Sequence, residues 1–195
     1  MNQYFSNEKL ASNIKTIKVK MLDKDFIFNT DNGVFSKSGL DFGTQTLLKT
    51  ILPLHLTGKV LDVGCGYGVI GIILSKFDKV FVDMIDVNER AIHLAKMNIK
   101  VNEVINCNPF ISNCYTEITN KYNYIITNPP IRAGKKVVYE IVIKAKEHLE
   151  DNGKLFIVIR KEQGAKSMIK DLSTYYDVNV LKKEKGYFIL KCEKK

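Results

Sequence analysis

Three glycines, Gly64, Gly66 and Gly68, follow directly on the apolar run Val60-Leu61-Asp62-Val63, with Cys65 between the first two. Glycine tolerates positive φ and lets a ligand press against bare backbone, so a glycine loop between a strand and a helix suits a bound nucleoside. About 20 residues on, Asp86 closes the next apolar run, where its carboxylate can accept hydrogen bonds from two ribose hydroxyls. Asp83 competes for that role, but its place inside the run favours Asp86. A tight turn would explain one of these glycines, not three followed by a spaced acid. Gly66, Gly68 and Gly71 also satisfy GxGxxG, so a dinucleotide such as NAD is an alternative occupant. Two features tilt the choice towards S-adenosylmethionine. Asp62 can orient the loop and receive the methionine ammonium through water, and the close GxG turn leaves no dedicated pyrophosphate cradle.

A second constellation is Asn128-Pro129-Pro130, behind the apolar run Tyr124 to Thr127. Consecutive prolines fix φ and lack N–H groups, so the Pro129 carbonyl is held in one direction. With the Asn128 side-chain oxygen it offers two acceptors, which match the two hydrogens of an amino group. An exocyclic amine is a poor nucleophile until such hydrogen bonds favour a more tetrahedral nitrogen. Methyl transfer from a sulfonium then needs positioning and local electrostatics more than a dedicated base. Taken alone the tripeptide also reads as a plain turn.

Both constellations require a sheet that brings strand ends to one edge. Strand and helix patterns alternate through Val60–Val63, Val69–Lys76, Val80–Ile85 and Asn88–Asn98, the last with Asn88 as N-cap. Further strands fall at Tyr124–Thr127 and Leu155–Ile159, separated by a helix carrying Val138, Ile141, Val142, Ala145 and Leu149. Alternating βα units imply a parallel sheet with helices on both faces. Val178–Leu181 and Tyr187–Lys191 lie too close in sequence for a helical crossover and are expected to be antiparallel. Ahead of the core, Ile17, Val19 and Met21 alternate with lysines, and Phe26 and Phe28 resume period two after a turn, giving an amino-terminal hairpin. A helix from residue 44, with Leu47, Leu48 and Ile51 on one face, ends at Pro53.

The 195 residues, 45% hydrophobic, suit a single α/β domain, with residues 1–43 as hairpin and cofactor-bordering segment and 44–195 as core. No apolar run approaches the ~20 residues of a membrane span and no signal peptide is evident, so a cytoplasmic protein with no membrane partner is expected. The four cysteines show no metal-ligand spacing, so neither a metal nor a disulfide framework is expected. A net charge of +9 favours a polyanionic partner, although lysine-rich composition alone leaves that open.

Together these segments resemble the class I S-adenosylmethionine-dependent methyltransferases, and among them the bacterial 16S ribosomal RNA (guanine-N2) methyltransferases. The likeness runs through VFSKSGLDFGTQTLL (34–48), VLDVGCGYGVIGI (60–72), IDVNERAIHLAKMN (85–98), SNCYTEI (112–118), ITNPPIRAGK (126–135) and KGYFILK (185–191). It implies a Rossmann-like, seven-stranded, mostly parallel sheet whose last strand is antiparallel. S-adenosylmethionine is the implied cofactor, and ribosomal RNA or the small ribosomal subunit the implied partner. By position, Ser112-Asn113 would read the cofactor's adenine, and Asp41, Gly43, Thr44 and Gln45 would border its methionine end, their plainer role being to cap the following helix. Many relatives carry an aromatic after the two prolines, where this chain has Ile131. Phe35 or Tyr67 is expected to supply the missing π face, or Arg132, Lys135 and Lys136 to hold the substrate by its phosphates. Competing expectations are amino methylation of adenine N6 or a protein glutamine, and an RNA-binding module without catalysis.

Overall fold

The computed structural model describes residues 11–34 and 39–195. Strands β1 (Lys15–Met21) and β2 (Lys24–Thr30) form the expected antiparallel hairpin, separate from the main sheet. Helix α1 (Phe42–Ile51) follows, two residues earlier than the apolar pattern indicated, because Asp41 caps it by accepting the Thr44 N–H at 3.0 Å. The core then runs β3 (Thr57–Val63), α2 (Val69–Phe77), β4 (Lys79–Asp86), α3 (Glu89–Val101), β5 (Cys107–Ile111) and β6 (Tyr122–Thr127). It continues through α4 (Lys135–His148), β7 (Leu149–Arg160), α5 (Ala165–Leu172), β8 (Tyr176–Glu184) and β9 (Tyr187–Lys194).

The sheet order is β5-β4-β3-β6-β7-β9-β8, parallel except for β9, which runs antiparallel to both β7 and β8. Period-two alternation divides its side chains between two cores. Val60, Val82, Ile126 and Phe156 pack with the hairpin and α1 to α3. Leu61, Val63, Ile125 and Leu155 pack with α4 and α5. Leu149, expected on the helix, instead opens β7. Neither β5 nor α5 stands out in the sequence pattern. β5 has five residues and contains Pro109, which an edge strand tolerates because one side of its backbone needs no partner.

The hairpin is held by asparagines. Val19, Met21, Phe26 and Phe28 turn inward. The backbone groups of β2 that face away from β1 bond to side chains one turn apart on α3. Asn98 accepts from the Asn29 N–H at 2.6 Å and donates to the Asn29 carbonyl at 2.9 Å, while its Nδ2 also donates to the Tyr67 carbonyl at 2.8 Å. Asn102 repeats the pattern with the N–H and carbonyl of Ile27, at 3.0 and 2.6 Å. Asn98 is completely buried, so truncation leaves the buried Tyr67 carbonyl and the half-buried Asn29 N–H and carbonyl without this partner. In chemical denaturation Asn98→Ala is expected to cost about 3 kcal/mol and Asn102→Ala, nearer solvent, about 1 kcal/mol.

Candidate active site

The chain leaves β3 towards β4 and β5 on one side and returns to β6 on the other, so β3 and β6 flank the point where strand order reverses. Open α/β sheets bind ligands in the crevice at that point, beyond the carboxyl ends of the strands. A cavity of about 390 Å³ lies there, within the ~300–1,000 Å³ usual for small-molecule sites. Its walls come from the loop after β3, the end of β4, the turn after β5, the Asn-Pro-Pro segment after β6, the end of β7 and the start of β9.

On the β4 side the loop is built for exposed backbone. Gly64 and Gly66 have φ of 73° and 55°, in the left-handed region, and a Cβ on Gly66 would meet nothing within 4 Å. The loop is tied down from behind by bonds from the N–H groups of Gly64 and Cys65 to the Ile85 carbonyl, each 2.9 Å. Asp86 fixes its crown, accepting from the Gly66 N–H at 2.9 Å with one oxygen and from the Asn88 N–H at 2.9 Å with the other. Each carboxylate oxygen retains acceptor capacity towards the cavity. Burial pushes the Asp86 carboxyl above its ordinary value, against the pull of the N–H groups of Asn88, Gly66 and Val87. Cys65 also lines the wall, its thiol raised well above the usual value by burial. In the turn after β5, the Ser112 hydroxyl is spent locally, donating to the Cys114 carbonyl at 2.8 Å, whereas the exposed Asn113 borders the cavity. Bare backbone beside a carboxylate and a carboxamide is a donor set that fits a nucleoside cofactor.

On the β6 side Asn128 is oriented by its amide nitrogen, which donates to the Thr44 hydroxyl at 2.9 Å and to the Asp41 carboxylate at 3.2 Å. A carboxylate only accepts, so the Asn128 NH₂ must face it and Oδ1 is left for the cavity. The Pro130 carbonyl closes a turn by accepting from the Ala133 N–H at 2.9 Å. Among the described residues nothing donates to the Pro129 carbonyl. Asp41 and Thr44 therefore meet the site through Asn128 as well as on the cavity wall.

Several expected residues lie elsewhere. Asp62 is fully buried beneath α2, accepting from the Gly71 N–H at 3.2 Å, and is not part of the cavity wall. Gly68 and Gly71 serve packing, since a Cβ on Gly68 would press Ile72 and Met84 at 3.1 Å and one on Gly71 would overlap Met84. Asp83 is buried, accepting from the Tyr122 hydroxyl and the Asn108 amide, both at 2.8 Å. Gln45 is absent from the wall, as are Lys135 and Lys136, whose exposed side chains lie on the first turn of α4 with the Lys135 ammonium 4.8 Å from the Tyr139 ring centre. Tyr67 borders the cavity but is 3% exposed and packed edge-on against Phe28, so it offers no open ring face. Phe35 lies outside the described residues. Ile131 and Arg132 do line the wall.

Arg160, Gln163 and Tyr187 also line it and were not singled out in the sequence. They become neighbours only because β9 runs antiparallel to β7, which pairs Arg160 with Tyr187 at the carboxyl edge. The motif KGYFILK carried the signal without the geometry.

A doubly wound sheet of this order, with a glycine loop shaped for a nucleoside at its switch point, is the fold of the class I S-adenosylmethionine-dependent methyltransferases. The chain belongs to the methyltransferase small domain family, whose model matches residues 25–191. It is 44% identical over 200 residues to the uncharacterized protein YbxB of Bacillus subtilis, covering all of both chains. It is also 32% identical to ribosomal RNA small subunit methyltransferase C of Psychromonas ingrahamii, over 92% of this chain but 52% of that one, so it spans about half the length of that relative. Among solved structures, a T. thermophilus 16S rRNA N2 methyltransferase in complex with AdoMet and guanosine superposes with a TM-score of 0.84 at 22% identity, covering 95% of this chain and 52% of that one. No described helix is long and apolar enough to cross a membrane.

The buried Asp62 has a consequence for stability. Burial, with a smaller push from Asp86 and against the Gly71 N–H, raises its carboxyl to about 7 from 3.8. Between these values the folded protein keeps a proton that the unfolded chain releases, so this group's contribution to stability falls as pH rises from about 4 to 7. Asp62→Asn is expected to remove that loss. Its stability relative to the parent should climb across that window in urea unfolding and level off above it.

Proposed function

We propose that the chain transfers the methyl group of S-adenosylmethionine to the N2 amino group of a guanine in small-subunit ribosomal RNA. The observation that carries this reading is the captured amide of Asn128. With Asp41 and Thr44 holding the NH₂, Oδ1 faces the cavity beside the Pro129 carbonyl, and two acceptors suit a substrate NH₂. The cofactor supplies an electrophilic methyl on a cationic sulfonium. Asp86 would take its ribose hydroxyls, the Gly64–Gly66 backbone would face its methionine moiety and Asn113 would read its adenine. Asn128 and Pro129 align the amine and draw its hydrogens, so that the nitrogen lone pair points along the displacement axis. The proton leaves once the nitrogen is cationic and weakly basic hydrogen-bond partners suffice to pass it on. The net charge of +9 and Arg132 at the mouth favour a phosphate-rich substrate. The named activity of the small-subunit relatives supports the guanine assignment.

Purified protein given methyl-labelled cofactor and undermethylated small ribosomal subunits should yield N2-methylguanosine in a nucleoside digest. Label in N6-methyladenosine, or confined to a protein glutamine, overturns the guanine assignment. Asn128→Ala should slow transfer about a hundredfold while leaving the affinity for S-adenosylhomocysteine intact. Asp86→Ala should weaken that affinity about tenfold, and Asp83→Asn should leave it unchanged.

A further inference from the structure

The acceptor side of the cavity contains an aromatic surface away from the position after the two prolines. Tyr187 and Arg160 face each other across the β7–β9 pair, with the guanidinium carbon 5.1 Å from the ring centre. Both line the cavity on the same side as Asn128. Phe42, at the start of α1, supports the ring from behind at 5.6 Å between centres, and the Lys185 ammonium lies 4.9 Å from Phe42. Cation and ring thus alternate outward from the cavity, through Arg160, Tyr187, Phe42 and Lys185.

Gly43 shows that the position of Tyr187 is enforced. It sits in the first turn of α1 without a positive φ, so the backbone does not demand glycine there, and alanine would be the better helix former. A Cβ at this position would lie 2.6 Å from Cε1 and 2.8 Å from Cδ1 of Tyr187. The missing side chain is the space the ring occupies. A ring fixed against helix backbone, with a guanidinium over it, loses little freedom on binding a flat partner. Tyr67 is the other aromatic on the described wall, and it is buried.

We propose that the Arg160–Tyr187 pair, with the guanidinium over the ring, is the stacking platform for the acceptor nucleobase, and that Gly43 is the positioning residue that seats it. The platform supplies the π surface that Ile131 does not, and Asn128 then meets the amino edge of a base held by its face. Bases stack on aromatic rings and on arginine planes alike, whereas a glutamine side chain has no such face to offer. The proposal rests on the reading of the acceptor as a nucleobase in RNA.

The test separates the two. With small ribosomal subunits as substrate, Tyr187→Leu and Gly43→Ala should each raise KM about tenfold at nearly constant affinity for S-adenosylhomocysteine, while Tyr187→Phe stays close to the parent. Retained cofactor affinity certifies folding. The chain has no tryptophan, so in a Tyr187→Trp variant the indole emission reports this position alone. Its emission should be quenched saturably by a short guanosine-containing RNA oligonucleotide in the presence of S-adenosylhomocysteine. An unchanged KM in Tyr187→Leu, or emission indifferent to the RNA, overturns the platform. If the label appears on a different base, the guanine-N2 reading fails and the same KM comparison on that base decides the platform. Label confined to protein overturns both, and with no label at all the emission titration still decides.

Discussion

The β6 wall of the cavity hangs on one contact, the carboxylate of Asp41 against the amide nitrogen of Asn128. A carboxamide has two ends of similar shape and opposite hydrogen-bonding sense, and nothing in Asn128 itself selects one for the cavity. Asp41 selects it, because an ionised carboxylate cannot donate. The same carboxylate caps α1, so the start of the helix and the orientation of the Asn128 carboxamide after β6 are fixed by a single group. The sheet sets where Asn128 stands, and the segment ahead of the sheet sets which way it faces.

The two sides of the cavity use different materials. Towards β4 the wall is backbone, shaped by glycines at positive φ and braced by Ile85 and Asp86, so ligand recognition there depends little on side-chain freedom. Towards β6 and β7 it is made of side chains held by their neighbours: Asn128 by the side chains of Asp41 and Thr44, Tyr187 by the Phe42 ring and the bare backbone at Gly43. A cofactor shared across a large family suits a backbone cradle.

Much of this was legible in the sequence. Glycine loops, a spaced acid and period-two runs are local signals, and they located β3, β4, β6 and the cavity's main walls. β5 escaped because a short edge strand containing Pro109 carries neither a full apolar run nor strict alternation. Asp62 lies off the cavity wall because period two turns its side chain under α2, where the Gly71 N–H donates to its carboxylate. Arg160 and Tyr187 escaped for a different reason. Their proximity comes from β9 pairing with β7 rather than only with β8, and from the register of that pair, which no local pattern records.

The asparagine pair on α3 bears on how the chain behaves among its own copies. A free-standing two-stranded ribbon exposes two rows of unpaired backbone groups, each a template on which another chain can add a strand. Asn98 and Asn102 act as a short third strand made of carboxamides, occupying the row on β2. The row on β1 is flanked by the exposed lysines Lys15, Lys18 and Lys20, and bringing a second such ribbon alongside would crowd like charges. One edge is chemically satisfied and the other electrostatically guarded, so neither row of the hairpin invites a further strand.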